Sequence, residues 1–496
     1  MRVLSGLLAV LAVVVPALAQ PAPRDVLNAY EQQLKALHAA AAPAVVCVVV
    51  SRSDKYPAPA ALPDYPGRLG TFDADAFRKG GPDRVALARK LDLSDPAAVT
   101  DHDSGTGVVI DAAGLVLTNF HTVEGATRIY VHIPGGKGSY ADVHAADGRS
   151  DFAVLKLLTP PAGLKALKIG DARLFDLPSG EKNVSPGKLV AVFDYRTAGG
   201  AVPDRAGFAL PVVSDVKFPP WNQNSNDTPN SVYRYAPLVE FESRAVPSSS
   251  GAAVLSLDGE LLAMTSAVAT VGGGDGGRTQ AVPFDQCNRR VVDVLARGEE
   301  VEYGFLGVVI EKFGRTNVGV GISQVSPRSP ADGRLFPGDV ITHINGQPTR
   351  NFPDLLYQIG SSLAGSKARL TVRGKERPVD VPLAKYSHTS PVIAANRPAA
   401  VFGLRVDWTS VITQGGLGSL VVPPGVVVRE LVPNSPAAAR FKTLGENARW
   451  VVTHVNGVVT PTPAAFYAAA REQREVRLTV IDAGQQNARP REVTLP

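Results

Sequence analysis

Cysteine is nearly absent from this chain of 496 residues; only Cys47 and Cys287 occur. Two thiols cannot staple a disulfide scaffold, and without a His/Cys cluster neither a metal site nor any other cofactor is expected. The two could pair in an oxidising compartment. Free core cysteines are the favoured expectation: Cys47 sits in the apolar run Val45–Val50 and Cys287 near the start of a helix. Aromatic residues make up only 6%, against Gly 47 and Pro 40, a balance that suits short strands and turns over long helices. A block of one charge sign is also missing. Formal net charge is +5, but Lys, Arg, Asp and Glu are interspersed, so the clustered basic stripe of a nucleic-acid binder is not present. Past the first residues no apolar run approaches the ~20 residues of a spanning helix.

The one apolar run is N-terminal. Arg2 precedes Val3 to Val15, and Ala17-Leu18-Ala19 supplies small residues at a cleavage site. Residues 1–19 read as a secretory signal, cut after Ala19. An uncleaved anchor is the alternative, but Ser5, Gly6 and Pro16 interrupt the run. The mature chain is therefore expected to be exported, periplasmic or secreted, with no membrane span.

Three segments carry the chemistry. The first is Ser104-Gly105-Thr106-Gly107-Val108-Val109-Ile110, a buried strand, followed by Leu117-Thr118-Asn119-Phe120-His121-Thr122-Val123. A histidine just past a strand can serve as a general base, since imidazole as a group titrates near neutral pH. The second is Asp147-Gly148-Arg149-Ser150-Asp151-Phe152-Ala153-Val154-Leu155-Lys156, and the third Pro247-Ser248-Ser249-Ser250-Gly251-Ala252-Ala253-Val254. His, Asp and Ser in that order follow the chain order of a chymotrypsin-like triad.

These segments resemble the HtrA/Deg serine proteases. Residues 105–123 match that family's G-x-G-V-I-I-D…T-N-x-H-V-V pattern and 147–156 its D-x-x-x-D-[IL]-A-[VL]-[IL]-K pattern. The serine motif, P-G-N-S-G-G-P-L in the family, is matched less closely; the proline, Gly251 and the Asp258-Gly259-Glu260 turn fix its register. The resemblance implies His121 as base, Asp151 as its orienting partner and Ser250 as nucleophile. The amides of Ser248 and Ser250 would face the oxyanion. Ser248 stands where the family has glycine, and the family's Asn-Pro-x-Gly has no match near Val192-Phe193-Asp194-Tyr195. A slow site, or a catalytically impaired peptide-binding scaffold or chaperone, is therefore the alternative to an active endopeptidase of unfolded proteins. Arg244 occupies a place the family fills with a small residue; it is expected to point outward, with aliphatic preference at the cut bond retained.

The implied fold is mainly β: a trypsin-like domain of two six-stranded barrels at 43–298, then two α+β PDZ domains. A helix is expected over Asp25–Ala40 within the segment 20–42, a first strand over Val45–Val50, insertions at 52–103 and 198–230, and a closing helix over Pro283–Gly298. The C-terminal third repeats itself. Gln324-Val325-Ser326-Pro327-Arg328-Ser329-Pro330-Ala331 recurs as Glu430-Leu431-Val432-Pro433-Asn434-Ser435-Pro436-Ala437, and His343-Ile344-Asn345-Gly346 as His454-Val455-Asn456-Gly457. Helices are expected after each, at Phe352–Ile359 and Pro463–Arg471. By resemblance the first PDZ domain spans 299–386, with Gly304, Phe305, Leu306, Gly307 and Val308 as its carboxylate-binding loop for peptide C-termini. A linker at 387–399 leads to a degenerate PDZ domain at 400–484, which binds peptide or only spaces, and a tail at 485–496. The family also implies a homotrimer.

Overall fold

The computed structural model describes residues 23–51, 93–96, 104–174, 184–197, 201–217, 236–242, 249–266, 278–311, 319–387, 392–413, 423–445, 448–485 and 488–496. Residues 1–19, read from sequence as a signal, and Arg244 and Ser248 lie outside these. Helix α1 (Pro23–Ala41) leads through a short turn into β1 (Val45–Ser51). Seven consecutive buried residues make β1 the centre of the first barrel. With it run β2 (Ser104–Asp111), β3 (Leu115–Asn119), β4 (Arg128–Ile133), β5 (Lys137–Asp147) and β6 (Phe152–Leu157), in the order β5–β4–β1–β2–β3–β6. Strand β6 pairs back onto β5, so six strands close. Gly107 permits that closure: a Cβ there would lie 2.8 Å from Val116 and 2.9 Å from Val48.

The second sheet holds seven described strands, where six were expected: β7 (Ala191–Asp194), β8 (Gly207–Ala209), β9 (Val213–Lys217), β10 (Leu238–Glu242), β11 (Ala253–Leu255), β12 (Leu261–Thr265) and β13 (Arg278–Pro283). Two of these fall in 198–230, read from sequence as a loop. Strand β8 pairs with β7 and β9 with β10, so cross-strand bonding overrides the Gly- and Pro-rich composition there.

The C-terminal third forms two units built alike. In the first, Val308–Ile310, Val320–Val325, Val340–Ile344, Lys367–Val372 and Val379–Pro382 form a sheet; in the second, Leu404–Trp408, Val426–Leu431, Trp450–Val455, Val476–Asp482 and Arg491–Leu495 do. The hairpin asparagines Asn345 and Asn456 share φ 51°, each followed by a glycine at φ 81°. Asn345 Oδ1 accepts from Arg369 N at 2.9 Å, and Asn456 Oδ1 from Arg477 N at 2.7 Å. The repeated Asn-Gly pair suits this turn, because a type I′ turn needs positive φ at both residues. Two sequence readings are corrected. Residues 491–495, assigned to a tail, form the second unit's last strand, and Ile393–Ala394, assigned to the linker, adds to β5 of the first barrel. Both cysteines are free.

The first C-terminal unit docks on the barrels through its helix. Counting the short turn α2 (Phe120–Val123) and the closing helix α3 (Gln286–Ala296), this is α4 (Phe352–Gly360). Asp285 caps α3, accepting from Cys287 N at 3.0 Å and Asn288 N at 2.9 Å, and Tyr357 of α4 donates its hydroxyl to the same carboxylate at 2.8 Å. Burial pushes Asp285 up to about 6, against the hydrogen bonds that favour its charged form. The folded protein thus holds this proton more tightly than the unfolded chain does. Its stabilising contribution is full below the unfolded carboxylate's range near pH 4 and is lost as pH rises through about 6. Thermal melting of the wild type should weaken across that window, by up to roughly 2–3 kcal/mol of stability. Asp285→Asn, which still caps α3, should remove the slope; an equal slope in the variant would assign it to other groups.

Candidate active site

Strand β3 ends at Asn119 in extended backbone and the chain turns directly into α2, which carries His121. The turn between β5 and β6 brings Asp151 to it. Phe120 N donates to Asp151 O at 2.8 Å, and Asn119 Nδ2 does so at 3.3 Å. With its backbone fixed, the Asp151 carboxylate accepts from His121 N through Oδ1 at 2.9 Å and meets His121 Nδ1 through Oδ2 at 2.7 Å. An ionised carboxylate only accepts, so Nδ1 carries the hydrogen and Nε2 is left with a lone pair. Asp151 adopts φ 58°, a left-handed conformation that aspartate tolerates better than most residues.

Ser250 sits in the turn before β11. Its carbonyl accepts from Thr106 N at 2.7 Å, and Gly251 N donates to Thr265 O at 3.0 Å. Gly251 has φ 85°, and a Cβ there would fall 2.0 Å from Thr106 O, so no other residue fits. Ser250 Oγ is buried with no hydrogen-bond partner among the described residues. The neighbouring hydroxyl is engaged elsewhere: Ser249 Oγ donates to Asp194 Oδ2 at 3.0 Å.

Two consecutive side chains at the end of β12 join these elements. Thr265 Oγ1 donates to Ser249 O at 2.5 Å and accepts from Ala252 N at 2.9 Å, bracing the Ser250 turn. Ser266 Oγ donates to Asp151 Oδ2 at 2.8 Å, bracing the carboxylate. Sequence reasoning missed both. Their only signal is a Thr-Ser pair after an apolar strand, which is common in any sheet.

The Asp151 turn is also clasped from the first C-terminal unit. Asp147 Oδ2 accepts from Ser150 N at 2.7 Å and from Tyr303 OH at 2.5 Å. The buried Arg149 guanidinium lies 4.3 Å from the Tyr303 ring centroid and 4.8 Å from that of Tyr386, an arrangement that favours a desolvated cation. A Cβ on Gly360, at the end of α4, would come 2.8 Å from Arg149 Nη2. Nothing in the sequence pattern links Arg149 to tyrosines so distant along the chain.

The five loop residues from Gly304 to Val308 lie together. The Leu306 and Gly307 carbonyls accept from Ala331 N at 3.1 Å and Ser326 N at 2.9 Å, which turns them into the unit. In the second unit the Phe402 and Gly403 carbonyls accept from Ala437 N at 3.1 Å and Val432 N at 2.8 Å. There the backbone amide of Val406 donates to Tyr467 OH, on the facing helix, at 3.3 Å. Leu356 holds the equivalent helix position in the first unit. No group of three or more possible metal ligands occurs among the described residues.

A family model described as a trypsin-like peptidase domain matches residues 105–264, and one described as a PDZ domain matches 321–374. The chain is 30% identical over 408 residues to a "Probable periplasmic serine endoprotease DegP-like" of Marinomonas sp. (strain MWYL1), covering 77% of each. A protein of the same description from Pseudomonas putida (strain W619) is 29% identical over 407 residues, again covering 77% of each. The solved "HtrA-type protease AlgW with decapeptide" is 21% identical, with 71% of this chain and 98% of that one covered and a TM-score of 0.46.

Proposed function

This chain belongs to the DegP-like family of periplasmic serine endoproteases, and from that membership we propose that His121, Asp151 and Ser250 carry its peptide-bond hydrolysis. The observation that carries the assignment is the shared brace at Thr265 and Ser266, which ties the Ser250 turn and the His121–Asp151 pair to one strand end. With Nδ1–H held by Asp151, His121 Nε2 takes the proton as Ser250 Oγ attacks the carbonyl. The tetrahedral intermediate places negative charge on the former carbonyl oxygen, toward the amides of Ser250 and Ser248. His121 then protonates the departing amine, and water repeats the sequence on the acyl-enzyme.

Peptide C-termini are assigned to the loop from Gly304 to Val308 of the first unit, as an added strand along Val308–Ile310. The second unit is read as another PDZ module, one whose groove Tyr467 fills with its own hydroxyl.

A fluorophosphonate probe is the test. Wild type should be labelled on one serine, and Ser250→Ala should lose the label. Titrated with C-terminal peptide, the Ser250→Ala protein should take one peptide per chain. An unlabelled wild type returns the scaffold reading, and two peptides per chain would show the second groove to open.

A further inference from the structure

We propose that Asp194 and Arg196 are positioning residues for the nucleophile turn, acting through the hydroxyl of Ser249. The proposal rests on Ser250 as nucleophile. Asp194 ends β7 and is 5% exposed. Its Oδ2 accepts from Ser249 Oγ at 3.0 Å and from Arg196 Nε at 2.7 Å. Ser249 lies between Ser248 and Ser250, the two residues assigned to the oxyanion. Holding its side chain therefore constrains the Ser249–Ser250 peptide plane, which carries the Ser250 amide.

The surroundings are shaped to admit this carboxylate. Gly207 pairs opposite Asp194 across β7 and β8, and a Cβ there would approach Asp194 Oδ1 to 2.9 Å. The residue between the two charges holds the same turn from its other side. Tyr195 N donates to Thr106 Oγ1 at 2.9 Å, while Thr106 N donates to Ser250 O at 2.7 Å. The end of β7 thus grips the turn once through a side chain and once through a backbone relay.

A carboxylate one residue from the nucleophile also carries a hazard. Its negative charge opposes the charge that forms on the substrate oxygen, and the opposition is strong where water is excluded. Arg196 answers that charge. The pair thus supplies an acceptor for Ser249 while keeping the local field near neutral, and the two functions are separable by substitution.

The experiment measures kcat and KM on a fluorogenic peptide, with fluorophosphonate labelling rates, on full-length protein. Asp194→Ala and Ser249→Ala should each lower kcat about tenfold, as the loss of a hydrogen bond to a charged group implies, with KM unchanged. Combined, they should lose no more than either alone. Asp194→Asn keeps the acceptor and should recover most of the loss. Arg196→Gln should lower kcat by exposing the charge, and Asp194→Asn/Arg196→Gln should recover it. That recovery is something a purely structural ion pair would not give. Additive losses, a change confined to KM, or a double variant worse than Arg196→Gln would overturn the proposal. Should Asp194→Ala fail to fold, the Arg196→Gln comparison decides, because the acceptor stays. Wild-type labelling on Ser250 separates this proposal from its premise: unlabelled wild type sinks the premise, and labelled wild type with unaffected variants sinks only this proposal.

Discussion

Asp151→Asn is expected to lower kcat about 10⁴-fold without unfolding the protein, the scale of penalty that a wrongly protonated imidazole imposes on a triad. The geometry dictates the sign. Asp151 Oδ1 accepts the His121 backbone N–H at 2.9 Å, so the amide oxygen of an asparagine must face that donor. The amide nitrogen is then left against Nδ1, where the carboxylate stands at 2.7 Å. An NH₂ group donates, so Nδ1 must accept and its hydrogen moves to Nε2. The base then has no lone pair for the Ser250 proton. Ser266 does not rescue this, since its hydroxyl can turn to accept from the amide and stabilise the wrong arrangement. Folding should survive, because the bonds from Phe120 N and Asn119 Nδ2 to the Asp151 carbonyl do not involve the Asp151 side chain. Turnover of a fluorogenic peptide at neutral pH, with a melting curve on the same sample, checks both halves. A loss below tenfold in a folded variant would remove Asp151 from the orienting role.

The parts of the site that were legible in the sequence are those written in consecutive residues. His121 stands two residues past its strand, Asp151 lies at a turn between two apolar runs, and Gly251 marks the turn that carries Ser250. The repeat in the C-terminal third was legible for the same reason, since Asn345-Gly346 and Asn456-Gly457 recur within matching consecutive runs. What escaped reading is held by partners far apart along the chain. Ser266 meets Asp151 across 115 residues, Tyr303 meets Asp147 across 156, and Ser249 meets Asp194 across 55. No periodicity records such pairings. The two-residue strand Ile393–Ala394 escaped because its pairing is set by an open edge of β5 rather than by its own composition. The bond from Val406 N to Tyr467 OH escaped because an aromatic on an alanine-rich helix reads as core, where Tyr467 does lie, and its hydroxyl meets a partner 61 residues away.

Ser248→Gly is expected to raise kcat about 10²-fold with KM little changed. Ser248 lies outside the described residues, so the expectation comes from its place in the sequence and from the turn that follows it. The described part of that turn is rigid. Ser249 O is held by Thr265 Oγ1 and Ala252 N, Ser250 O by Thr106 N, and Gly251 N by Thr265 O. By the family resemblance, the residue at this place donates its amide to the substrate oxygen, which its own backbone angles must permit. Glycine reaches such angles freely, whereas serine pays roughly 1–3 kcal/mol of strain or leaves the amide turned away. A turned amide removes one oxyanion donor, which is worth on the order of 10²–10³ in rate. The gain should appear in kcat because the donor meets charge that exists only in the transition state. Steady-state kinetics on a protein substrate, with Ser250→Ala as the blank, measures it. An equal kcat in wild type and Ser248→Gly would show that the backbone accepts serine in the donating orientation and that the wild-type oxyanion site is already complete.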